Sequence, residues 1–167
     1  MRVRATVRGF SLIEVMVALV IFSVGLLGMG KMLLISMKAN SSSYSSTQAW
    51  AAANAMLDRI RANRATALSG SASGYSLPSL TIAGSISAGN CESGSCSGGN
   101  LATYDVATWL SALSSSYGLP SGEGQIVFNQ SGGQTLVTIT VAWDDSIAQQ
   151  ALKEAATAAS ISLTSGL

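Results

Sequence analysis

The sequence predicts an α+β fold in which a long N-terminal helix, half of it transmembrane, packs on a small antiparallel sheet. Three observations carry the prediction. Residues 10–30 form a largely apolar run in which Glu14 is the only charged residue. No proline interrupts the chain before Pro78. Two alternating apolar runs flank a Ser131-Gly132-Gly133 turn in the C-terminal third.

Residues 1–9 form a short basic leader holding Arg2, Arg4 and Arg8. Residues 10–30 follow as a candidate membrane span. At ~1.5 Å per residue, 21 residues of helix reach roughly 32 Å, enough for a bilayer core. A charge inside such a span costs about 2.5–3.5 kcal/mol even on insertion scales. Glu14 therefore either snorkels to the interface or meets a positive charge in a packed assembly. The leader arginines keep the N-terminus cytoplasmic. A secretory signal is cut after its apolar region, at small residues. Here the candidate cut site precedes the apolar run, so the helix stays in the product.

Gly9-Phe10-Ser11-Leu12-Ile13-Glu14 resembles the prepilin motif of type IV pilins and type II secretion pseudopilins. The resemblance implies cleavage after Gly9 by a prepilin peptidase, N-methylation of Phe10, and assembly through Glu14. A free α-amine with a pKa near ~8 is largely protonated at neutral pH. Glu14 of one subunit can then neutralise the Phe10 amine of a neighbour inside an apolar bundle.

Gly25, Gly28 and Gly30 end the span. Each glycine costs a helix about 1 kcal/mol relative to alanine. They read either as a place that melts on packing or as close helix–helix contacts. Residues 31–65 continue as an amphipathic half, with Tyr44, Trp50, Ala53, Met56, Leu57 and Ile60 at helical spacing. The whole helix, from residue 10 to about 65, would be about 84 Å long. No globular core needs that length. Residues 55–63, AMLDRIRAN, resemble the end of the long helix in PilV-type minor pilins (type IV pilus modification proteins). Arg59, Arg61 and Arg64 can serve DNA or an acidic partner, but a solvated face with Asp58 and Arg61 paired at i,i+3 accounts for them more simply.

Residues 66–167 form the periplasmic α/β part. Within it, 17 of residues 69–100 are Gly or Ser, which reads as an irregular exposed loop with a short strand at Leu80-Thr81-Ile82. Cys91 and Cys96 lie inside it. Two cysteines with no histidine in the chain are too few for zinc, and the spacing is not CxxC. In an oxidising compartment they predict a disulfide worth about 2 kcal/mol. Residues 103–117 read as a second helix with Val106, Trp109, Leu110, Leu113 and Tyr117 on one face, stopped by Gly118 and Pro120. Residues 125–129 and 135–143 make the hairpin, with Val137, Ile139, Val141 and Trp143 on one side. Asp144-Asp145-Ser146 can be taken for a metal or acid–base site, but two acids after a strand are more often a turn and helix cap. A short helix over residues 147–158 and a strand over 161–164 complete the chain. Asp105, Trp109, Leu119-Pro120, Gly122, Gly124 and the run 141–145 again resemble PilV-type minor pilins.

Charge excludes several function classes. Removing residues 1–9 leaves six basic and eight acidic residues, a net charge of −2, which argues against bulk nucleic-acid binding. Absence of histidine removes the usual general base and the commonest zinc ligand. The expectation is a non-enzymatic subunit without cofactors. It would sit in the inner membrane with a periplasmic domain, and then in the pilus, most naturally at the tip. The resemblance implies a minor pilin that primes or caps a type IV pilus with other minor pilins and the major pilin, supporting a tip adhesin. Alternatives are a minor pseudopilin of type II secretion and a membrane-anchored periplasmic enzyme.

Overall fold

The computed structural model describes residues 9–145 and 158–167. Its elements are α1 (Leu12–Ala62), α2 (Arg64–Ala67), a 3-10 turn (Gly70–Ala72), β1 (Leu77–Ile82), α3 (Gly98–Ser115), β2 (Glu123–Ser131), β3 (Gln134–Asp144) and β4 (Ala158–Gly166). This is the expected α+β architecture, consistent with the type IV pilin fold. The leader residues 1–8 and the expected helix over 147–157 lie outside the described residues.

α1 runs 51 residues without a break, about 76 Å at ~1.5 Å per residue. It starts two residues later and ends three residues earlier than its sequence suggests. Ser41-Ser42-Ser43 does not interrupt it. The Ser43 hydroxyl donates back to the Ala39 carbonyl at 3.1 Å, and Thr47 donates to the Ser43 carbonyl at 3.0 Å. These hydroxyls serve helix carbonyls instead of competing with the helix.

Only the C-terminal part of α1 is buried, through Ala49, Ala52, Ala53, Met56, Leu57 and Ile60. Tyr44 and Trp50 are not on that stripe. They are 63% and 43% exposed, while the small residues Ala49, Ala52 and Ala53 take the buried positions beside them.

The four strands form one antiparallel sheet in the order β1-β2-β3-β4. Ser131 pairs with Gln134, so Gly132 and Gly133 alone make the hairpin turn, both at positive φ (58° and 81°). Only glycine takes that pair of conformations without strain. Val137, Ile139, Val141 and Trp143 of β3 are buried on one face, as their alternation predicts. α1 and α3 cover that face, joined in one core by Trp109, Leu110, Leu113 and Ile126. β4 is longer than residues 161–164 and begins at Ala158, which was expected to end a helix.

The Gly/Ser-rich stretch is less irregular than its composition implies. β1 spans six residues of it and pairs with β2. α3 begins five residues early, because the Ser97 hydroxyl accepts from the Asn100 amide at 3.3 Å and caps the first turn. Cys91 and Cys96 are bridged, with Cα atoms 5.6 Å apart, and the Tyr104 hydroxyl donates to Glu92 at 2.6 Å beside them.

Candidate assembly surface

Gly9, Phe10 and Ser11 precede α1, and Ser11, in extended backbone, occupies the helix N-cap position. The Ser11 carbonyl accepts from the amides of Glu14 and Val15 at 3.0 and 3.3 Å. Glu14 therefore stands in the first turn, where a carboxylate suits the helix dipole. Phe10 and Glu14 line one open groove on the helix with Ala18, Leu19 and Phe22. No described residue of the globular part touches that groove.

Beyond it the pattern continues. From Leu12 to Leu34 no side chain is buried. Phe22 is 65% exposed and Leu27 77%. Gly25, Gly28 and Gly30 have no neighbouring atoms within 4 Å of where a Cβ would sit. Among the described residues α1 is the one helix long and apolar enough to cross a membrane. An all-round apolar helix of this length has its partners outside the fold.

The other candidate residues are committed to the fold. Arg59 turns inward: its Nη1 lies 3.7 Å from Asp105 Oδ1, and donates to Thr108 Oγ1 at 2.9 Å and the Asp105 carbonyl at 3.2 Å. Arg61 pairs with Asp58 at 3.9 Å, as its i,i+3 spacing suggests, and also donates to Ser165 at 3.0 Å. Two of the three arginines thus serve the long helix's own contacts. Asp145 does not stand free for a metal or proton transfer, since the Ser42 hydroxyl donates to its Oδ2 at 2.7 Å. Asp144 ends β3, and its amide donates to the Pro120 carbonyl at 2.8 Å.

Residues 4–30 match the family model of the prokaryotic N-terminal methylation motif. That supports a type IV pilin-like or pseudopilin-like protein, and it points to a structural subunit rather than an enzyme. Motif and helix together fit a membrane-anchored pilin that later enters a pilus, assembling with other pilins after processing by a prepilin peptidase. No curated protein and no solved structure matches the chain.

The residues of the second, looser resemblance are packing residues. Trp109 is buried and donates its indole N–H to the Ala52 carbonyl at 2.9 Å. Leu119 is buried. Gly124 lies against the Trp109 ring and Gly122 against Leu113. Asp105 accepts from the Tyr75 hydroxyl at 2.8 Å.

Tyr75 is the residue that sequence reasoning missed. It is fully buried inside the Gly/Ser-rich stretch. Burial, above all, and the Asp105 carboxylate beside it push its phenol well above the usual value. The available signal was the lone aromatic of that stretch before residue 100, placed two residues ahead of Leu77.

Proposed function

We propose that the chain is a minor pilin subunit that primes or caps a type IV pilus with other minor pilins and the major pilin, supporting a tip adhesin as PilV-type proteins do. In this reading residues 1–9 are removed, residues 10–30 sit in the inner membrane before assembly, residues 31–65 carry the periplasmic part, and residues 66–167 form it. Gly9 is the cleavage position and Phe10 the methylated terminus. The Phe10 ammonium of one subunit pairs with Glu14 of its neighbour. The observation that supports it is the unpartnered apolar half of α1, with a single carboxylate four residues past the expected amine.

Mass spectrometry of native protein should find N-methylated Phe10 at the terminus. Met1 there in assembled material would sink the proposal. Glu14→Ala should leave insertion, cleavage and the periplasmic fold intact. Co-purification with partner subunits and pilus number should fall, since breaking a buried charge pair costs about 3–5 kcal/mol.

A further inference from the structure

The apolar run of α1 does not stop at Gly30. Between Phe10 and Arg59 the charged side chains are Glu14, Lys31, Lys38 and Asp58. Residues 32–37, MLLISM, lie between the two lysines and are apolar apart from Ser36. At about 100° per residue, Met32, Leu33, Leu34, Ile35 and Met37 spread over the whole circumference of the helix. Met32 is 74% exposed and Leu34 61%. A protein partner covers one stripe of a helix, whereas apolar side chains on all sides suit a uniform apolar solvent. Every residue from Gly9 to Met37 is exposed, and Lys38 is the first residue of α1 to be half-buried. There it lines a cavity with Ser41, Pro120 and Asp145, where the globular part begins.

The spacing of the charges sets the depth. Lys31 is 17 residues beyond Glu14, and Lys38 is 24 beyond it. Along the axis these separations are about 26 and 36 Å, against a hydrocarbon core of about 30 Å. With Glu14 at the inner edge of the core, Lys31 lies about 4 Å below the outer edge and Lys38 about 6 Å above it. The headgroup layer is roughly 5–7 Å deep on each side, so Lys38 falls within it. Lifting Lys31 to that level instead would draw Glu14 about 10 Å into hydrocarbon, where a carboxylate is costly.

We infer that Lys31 is a lipid-phosphate site: its backbone lies inside the outer leaflet, and its ammonium reaches up to the phosphate of a phospholipid. The bilayer surface then meets α1 at Lys38, and the globular part stands directly on the headgroups. The four-carbon stem of lysine crosses a depth of a few ångströms while staying in hydrocarbon, and the phosphate supplies the anion at its end. Lys38, seven residues on, places a second cation above it on the same side of the helix. The inference rests on α1 crossing a membrane, and adds where the crossing ends and what Lys31 binds.

A carboxylate on a neighbouring copy is the competing anion. Glu14 is the one acidic side chain between Phe10 and Met37. Two copies in one bilayer share a register, so the neighbour's Glu14 lies about 26 Å below Lys31. Lipid phosphates surround the helix at the level that the Lys31 ammonium reaches.

The test uses the full chain in vesicles of phosphatidylethanolamine and phosphatidylglycerol. Nitroxide labels on Leu26→Cys, Leu33→Cys and Asn40→Cys report depth. The three positions lie on one side of the helix and are exposed in the fold. Cys91 and Cys96 are bridged, so only the introduced thiol takes the label. The labels at 26 and 33 should relax with dissolved oxygen and be shielded from a water-soluble nickel chelate. The label at 40 should show the reverse. In solid-state NMR the Lys31 ammonium nitrogen, assigned by its loss in Lys31→Leu, should dephase against lipid phosphorus. Nickel access at 33 with 26 shielded overturns the inference and leaves the membrane span standing. Nickel access at 26 overturns the span and the inference together. Expected depths without dephasing at Lys31 overturn the phosphate site.

Discussion

One helix holds two regions with opposite relations to the rest of the molecule. Between Leu12 and Leu34, α1 has apolar side chains all round it, broken by the charges of Glu14 and Lys31 and by Ser23, and none of its side chains is buried. Between Ala49 and Ile60, the apolar residues that pack form a single stripe, with Trp50 exposed at its margin and Asn54 and Asp58 exposed beyond it, and all of that stripe is buried. Hydrophobicity alone does not separate the two. Its distribution around the helix does. A stripe with small residues lets a sheet approach one face, whereas a cylinder apolar all round needs a surrounding that its own domain does not supply.

Methionine gives the comparison its largest test. Met56 is fully buried and Met29 is 72% exposed, on the same helix. Met56→Ala should lower the unfolding free energy of the periplasmic part by about 2–5 kcal/mol. Met29→Ala should leave it within about 0.5 kcal/mol. Thermal unfolding in micelles reads both. Equal losses would mean that the exposed half is part of the domain's own stability.

Glycine sharpens it. A Cβ on Gly124 would crowd the Trp109 ring and come within 2.9 Å of Leu110 Cδ2. Gly124→Ala should therefore cost about 1–3 kcal/mol by overpacking. Gly28 has open space around it. Gly28→Ala should raise helix stability by about 1 kcal/mol and leave domain unfolding unchanged. If assembly nevertheless falls, a neighbouring helix packs on that glycine.

The bridged loop belongs to neither region. Closing so short a loop restricts the unfolded chain by about 2 kcal/mol. Cys91→Ser with Cys96→Ser should cost no more than that, and unreduced, unfolded wild type should resist thiol labelling. Labelling of both cysteines would show that the bridge is absent.

Much of this was legible in the sequence, for reasons that differ by element. The β2–β3 hairpin announces itself locally, by period-two alternation and two glycines that only a tight turn requires. The span announces itself by composition, and Glu14 by being its lone charge. Burial around residues 44–50 was not legible. Tyr44 and Trp50 fit a helical period, but the stripe is set by which residues let the sheet approach, and alanines do that better than an indole. β1 was half hidden because its partner β2 lies some 40 residues onward, past α3. The early start of α3 was hidden because Gly98 and Gly99 disfavour a helix that the Ser97 cap and a tertiary bond hold in place. That bond runs from Asn63 Nδ2 to the Gly98 carbonyl at 2.8 Å.

Tyr75 supplies the smallest effect and the most selective one. Its hydroxyl donates to Asp105 Oδ2 at 2.8 Å, within the cluster that ties α1 to α3 through Arg59. Tyr75→Phe keeps the ring and removes that bond, so the loss near pH 7 should be about 1–2 kcal/mol. The pH dependence identifies the group. Burial holds the folded phenol above its ordinary value, while the unfolded tyrosine ionises near ~10. A pKa raised by folding means that this part of the stability is complete below about pH 10 and is lost as pH rises beyond it. Wild type should then lose stability above about pH 10 more steeply than Tyr75→Phe, and the gap between them should narrow. Tyr104, also raised by its bond to Glu92, is present in both proteins and cancels in the difference. Parallel curves above pH 10 would mean that Tyr75 is not neutral and buried in the folded state. The anchoring of the long helix to α3 would then rest on Arg59 and Trp109 without it.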